Sequence, residues 1–144
     1  MRLQKMFLVL SMLILLVPSA TVAGDFDWMP DFNMRAEADL SGFRARLAAR
    51  FKIGDVQVNT VLSNVEKPAD AYMVLHLREM SNHPPDYVIE KYKSGKGKGW
   101  GALAKTLGIK PGSKEFHALK QGSDLYDDSD KGKEKGKGKG KGKN

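Results

Sequence analysis

Punctuation constrains this chain more than anything else in it. From Asp39 onward helix breakers punctuate the chain at Gly54, Pro68, Pro84-Pro85, the run Gly95-Lys-Gly-Lys-Gly99, Gly108, Pro111-Gly112 and Gly122, which suits helices of roughly 8–14 residues. Prolines and glycines so spaced end one element and open the next, which leaves room only for short elements. Most of the segments between them repeat apolar residues at helical spacing. Leu40, Phe43, Leu47 and Phe51 recur at steps of 3, 4 and 4, with Arg44, Arg46 and Arg50 off the stripe. This predicts an amphipathic helix stopped at Gly54.

Asp55 to Val65 is ambiguous. Val56 and Val58 alternate with polar residues like a strand, whereas Val58, Val61, Leu62 and Val65 share a helical face. Helix is the better choice, because no other segment offers a partner strand. Pro68 suits the first position of a helix whose apolar residues, from Tyr72 to Met80, cover most of its circumference, as a central core helix requires. Pro84-Pro85 opens another, with Val88 and Tyr92 four apart. Trp100, Leu103, Ala104 and Leu107 make a short one closed by Gly108, with Ile109 covering the last turn. Ser113 can cap a final helix that points Phe116 and Leu119 inward. The fold class expected is all-α, a compact array of about five to six short helices. Helix, turn, helix recurs around Phe51/Val58, Met80/Val88 and Leu107/Phe116 at about the 30-residue spacing of helical repeats. The residue matches between these units are poor, which favours chance similarity among amphipathic helices over repeated helix pairs.

The flanks differ from this centre. Arg2 and Lys5 precede an apolar run from Met6 to Val17, and Pro18 to Ala23 supplies small residues, which together read as a signal peptide over residues 1–23. The run falls short of the ~20 residues needed to span a bilayer, so an uncleaved anchor is the lesser alternative. The expected localisation is exported, periplasmic or secreted. With no cysteine there is no disulfide framework, no thiol chemistry and no lipid-attachment Cys, and the fold must stand on packing. Residues 24–38 carry Pro30 and several aromatics without a clear period, and read as an irregular arm docked through Trp28 and Phe32 onto a helical domain at 39–122. Residues 123–144 run from a solvated acidic cluster, Asp124 to Asp130, into alternating lysine and glycine. Such a composition has no apolar area to offset its backbone entropy and reads as a disordered tail.

Charge is segregated. Of the 24 Lys+Arg, two lie in the leader and seven in residues 131–144, leaving 15 in residues 24–130 against 16 Asp+Glu. The high pI therefore describes the tail and not the domain. Lys131, Lys133, Lys135, Lys137, Lys139, Lys141 and Lys143 form a candidate polyanion-binding segment. Each gains about 1 kcal/mol near an anionic surface, and the same charges neutralise phosphates with strong salt dependence. With no aromatics and no fixed geometry, the string selects charge and not sequence. The alternative is a merely solubilising tail.

A second candidate is the glycine-rich loop before Trp100. Lys96, Lys98 and Gly99 could hold an anion, since amides at a helix start favour negative charge. Neither a Walker A pattern nor a dinucleotide fingerprint is present, and a plain loop seating Trp100 is the simpler reading. His76, His83 and His117 lack zinc-ligand spacing, and His76, between Tyr72 and Met80, reads as a hydrogen-bonded core residue. The Asp124–Asp130 run does not follow the calcium-loop order. No metal or other cofactor is implied. Ala104 to Ile109 resembles the middle of a helix-turn-helix, although Pro111-Gly112 lengthens the turn. No GxSxG, HExxH or cysteine nucleophile is present.

Ala71-Tyr-Met-Val-Leu75, Tyr87-Val-Ile-Glu-Lys-Tyr92, Gly97-Lys-Gly-Trp-Gly-Ala-Leu-Ala-Lys105, Leu107-Gly-Ile109 and Phe116-His117 lie within the stretch Pro68 to Lys120. This stretch resembles small, functionally uncharacterised exported helical proteins of bacteria that carry Gly-Trp-Gly before a helix. The resemblance implies an envelope or secreted setting and an all-α fold, and no catalytic residue.

The functional expectation is a non-enzymatic exported binding or interaction protein whose tail attaches it to an anionic envelope surface or polyanion: lipid headgroups, acidic polysaccharide or nucleic acid. The alternatives are a small hydrolase or ligand-binding protein using a cleft near Trp100, with Tyr92 and His117, and a helix-turn-helix-like nucleic-acid binder.

Overall fold

The computed structural model describes residues 25–127. Residues 1–24 and 128–144 lie outside the described residues, and with them the expectations of a signal peptide and of a polyanion-binding lysine-glycine tail. Among those described there are seven helices and no strand: α1 Met29–Ala38, α2 Leu40–Phe51, α3 Asp55–Ser63, α4 Pro68–Ser81, α5 Pro85–Ser94, α6 Trp100–Thr106 and α7 Lys114–Gln121. The fold is all-α.

α4 is the axis of the molecule. Pro68 sits in its first turn, where a missing N–H is harmless, and Ala69, Ala71, Tyr72, Met73, Val74, Leu75 and Leu77 are buried. Helices α1, α2, α3 and α5 pack around it. Its N-terminus is capped from outside: Asn33 of α1 accepts a hydrogen bond from the Ala69 N–H at 2.7 Å, in place of a local cap that Lys67 has no side-chain oxygen to provide.

The local chemistry matches the punctuation, with adjustments. Asp39 caps α2 by accepting from Gly42 N at 2.9 Å, and Phe43, Leu47 and Phe51 are buried. Leu40 drops off the expected stripe and stands 54% exposed. The helix ends on Lys52 in left-handed backbone, before the expected stop, and Gly54 instead caps α3, where Gln57 reaches back to its N–H at 3.1 Å. α3 buries Val58 and Val61 and leaves Val56 in solvent. α6 closes in a complete Schellman motif. Ile109 N–H bonds Ala104 O at 2.9 Å, Gly108 N–H bonds Lys105 O at 3.1 Å, and Gly108 takes φ +82°.

Both expected flanks of the domain are corrected. Residues 24–38 are not an irregular arm, because Met29–Ala38 is a helix with Pro30 in its first turn. It buries only Phe32 and Ala36, too few to show a period, and it is held by tertiary packing rather than by an amphipathic stripe. It is also the helix beyond the expected five to six. At the other end the packed domain does not stop at Gly122. Leu125 is buried, Tyr126 meets Phe32 at 5.1 Å, and Asp124 is engaged by Arg50 and Tyr72. Asp124 is therefore part of the fold and not of a solvated acidic run.

Of the recurring helix pairs, α2 packs on α3 and α4 on α5, but α6 packs chiefly on α5. Residues 107–113 separate α6 from α7, whereas a helix-turn-helix joins its helices through about 3–4 residues.

Candidate functional site

Where α5 ends and α6 begins, the loop Gly95–Gly99 folds over a cleft of about 320 Å³. This is at the small end of ligand pockets. Its walls are Tyr92, near the end of α5, and Trp100, the first residue of α6. Leu103, one turn further, forms an apolar wall. The rings of Tyr92 and Trp100 are stacked, 5.6 Å between centroids and 22° between planes. A stacked pair of this kind is a stable, preformed apolar surface.

Loop geometry sets this arrangement. Gly99 has φ +87° and ψ 167°, a region open essentially to glycine alone, and that conformation turns the chain so that Trp100 starts a helix with its ring on Tyr92. The Tyr92 hydroxyl donates to Asp70 Oδ2 at 2.9 Å, which fixes its ring against α4. Burial, then the bond to Asp70, push this hydroxyl up to about 12, so it stays a neutral donor at physiological pH.

Charge at the rim is balanced. The Lys96 ammonium is paired with the Glu66 carboxylate, and this bond, followed by the charge of Lys96, holds Glu66 below its ordinary range. Of the expected anion-loop residues, the structure brings Lys96 and Gly99 into the cleft and leaves Lys98 outside its lining. Lys96 comes with an acidic partner 30 residues earlier in sequence, so the loop adds no net positive charge to the cleft. Glu66 and Asp70 were not legible as site residues, since nothing local in the sequence relates them to the loop.

His117 does not join the cleft. It lies exposed on α7, with its Nε2 3.2 Å from Gln121 Nε2. His76 is packed between aromatic rings, 5.5 Å from Tyr72 and 6.2 Å from Phe51, but its buried Nδ1 has no hydrogen-bond partner. It is half-buried beside the core rather than within it, and it lacks the expected bond at that atom. Among the described residues no group of three or more His, Cys, Asp or Glu is placed to hold a metal ion, and no helix is long and apolar enough to cross a membrane.

A second polar cluster joins α2 and α4 to Asp124. Arg50 of α2 reaches both oxygens of Glu79 at 3.2 and 3.1 Å, and bonds Asp124 at 2.6 Å. Tyr72 donates to Asp124 at 2.8 Å. Every polar atom named in this cluster is engaged within it, as in a structural clasp.

The chain matches no family model, no curated protein and no solved structure.

Proposed function

We propose that this chain is an exported, non-enzymatic binding protein of the periplasm or cell exterior, held by its lysine-glycine segment to an anionic surface. The observation that carries this reading is charge segregation: seven lysines in residues 131–144, beside a segment 24–130 whose 15 basic and 16 acidic residues nearly cancel. The fold supports it by using several of its cations internally. Arg35 pairs with Asp31, Arg50 with Glu79 and Asp124, Lys96 with Glu66 and Lys120 with Asp25. With the 15 basic residues of 24–130 offset by 16 acidic ones, attachment by charge rests on the lysines of 131–144, each contributing about 1 kcal/mol at an anionic surface. The reading of the first 23 residues as a leader supplies the setting, in accord with the resemblance to exported helical proteins of bacteria.

The test is retention of the full chain, and of a chain lacking residues 131–144, on phosphatidylglycerol vesicles and on heparin at low salt. The full chain is retained and released as salt rises, whereas the shortened chain passes through. Equal retention of the two removes the segment's role.

The cleft favours a second reading, compatible with the first, in which the helical domain binds a small ligand against Trp100. The stacked Tyr92–Trp100 pair, preformed and bordered by polar groups, supports it. No nucleophile with an activating base lines the cleft, so binding is the function this geometry serves best.

A further inference from the structure

Building on the reading of the Trp100 cleft as a ligand site, we infer that its ligand is a neutral saccharide ring, a unit of an envelope or extracellular glycan. Three features of the cleft converge on that chemistry.

The first is the apolar wall. Tyr92 and Trp100 cover the faces they turn to each other, and their remaining ring surface lines the cleft together with Leu103. A pyranose carries its C–H groups on one face, and that face lies flat on an aromatic plane while the hydroxyls project sideways. A quaternary ammonium calls for aromatic faces turned toward one point, and two rings packed on each other do not offer that.

The second is the rim. Glu66 and Lys96 neutralise one another, so the cleft recruits neither an anion nor a cation by net charge. The pair still offers unused hydrogen-bonding capacity, because a carboxylate has about four acceptor sites and an ammonium three donors. A ring with several adjacent hydroxyls uses both kinds at once. An anion would meet Glu66 and would find Lys96 already engaged.

The third is room. A Cβ built on Gly97 or Gly99 meets nothing within 4 Å, so the loop leaves its backbone bare beside the aromatic wall. A volume of about 320 Å³ accommodates one ring and part of a second.

The experiment is a saturation-transfer NMR and tryptophan-fluorescence titration of the full chain with N,N′-diacetylchitobiose and with cellobiose, up to roughly 10 mM. Adenosine, choline and inorganic phosphate serve as contrasting probes. The expected result is saturable binding of at least one saccharide with transfer strongest to its ring C–H protons, and no comparable binding of the other three. Trp100→Ala weakens that binding by at least about tenfold. Because Trp100 packs on Tyr92, Glu66→Gln provides a variant at an exposed residue outside the core, and it weakens binding while leaving the helical circular dichroism unchanged. Removal of residues 131–144 leaves saccharide binding as it was. Trp100-dependent binding of adenosine, choline or phosphate without saccharide binding overturns the proposal and leaves the cleft a ligand site. No saturable binding of any probe overturns both.

Discussion

Tyr72 and Asp124 are bonded to each other twice. The Tyr72 hydroxyl donates to Asp124 Oδ1 at 2.8 Å, and the Asp124 main-chain N–H donates to the same hydroxyl oxygen at 3.2 Å. One phenol thus holds both the side chain and the backbone of a residue 52 positions away, and Arg50 secures the other carboxylate oxygen. Burial drives the Tyr72 hydroxyl above its ordinary range against the opposing bond from the Asp124 N–H, the Asp124 carboxylate adds to the rise, and the hydroxyl remains a donor.

Removing either partner should loosen the end of the domain. Tyr72→Phe keeps the ring that packs on Trp28, Phe32 and Phe51 but removes both bonds to Asp124, one of them to a carboxylate, at about 1–3 kcal/mol. Asp124→Ala strips Tyr72 and Arg50 together and is the more damaging of the two. Urea unfolding gives both values, and faster amide exchange at Leu125 and Tyr126 should accompany the loss. Stability unchanged in both variants would mean that the clasp is incidental.

Acid should lower the stability of the protein in two separate pH windows. Burial pushes the His76 imidazole below its ordinary 6.5, with Asp124, Arg50 and Glu79 as the charged groups that modulate it. The unfolded chain therefore takes up a proton near 6.5 while the fold resists it, and stability falls as pH drops below 6.5. Partial burial alone would raise Asp124, but the bonds from Tyr72 and Arg50 outweigh it and hold the carboxyl below its ordinary 3.8. Its contribution is complete above that value and is lost as pH falls below it. Urea midpoints across pH should show both windows. His76→Phe flattens the upper one and also removes the unpartnered Nδ1, and Asp124→Asn flattens the lower.

Glycine positions around Trp100 should respond in opposite directions. Gly99→Ala forces a side chain into φ +87°, ψ 167° and should lower stability by about 1–3 kcal/mol. Gly101→Ala, in the first turn of α6 with open space around its Cβ, should raise it by up to about 1 kcal/mol. Thermal unfolding of the two variants checks the pair, and equal effects would contradict the loop geometry.

The parts of this fold legible in sequence are those written locally. Phe43, Leu47 and Phe51 announce α2, Pro68 opens α4, and Gly108 with Ile109 closes α6 as its side chains dictate. α1 was hidden because only Phe32 and Ala36 are fully buried, with Met29 partly so, and because its role is tertiary: Asn33 caps another helix across 36 positions. The same holds for the cleft. Tyr92, Trp100 and the glycines can be seen in one stretch, but the pairing that neutralises Lys96 comes from Glu66, and the anchor of Tyr92 comes from Asp70. Asp124 looked like one carboxylate among several in an acidic run. Only the approach of Arg50 and Tyr72 distinguishes it from Asp127, and periodicity carries no signal for that.

The closing bonds of the domain have a bearing on when it can fold. The Trp28 indole N–H donates to Leu119 O across 91 positions, and Phe26 N–H bonds Lys120 O. A ribosome makes Phe26 and Trp28 some ninety residues before those partners. Until α7 and Leu125 have been made, the indole has no acceptor, and Phe32 and Tyr72 lack the cover of the final segment. Completion of the domain is thereby postponed until Leu125 has emerged, which leaves an interval in which the growing polypeptide is still pliable.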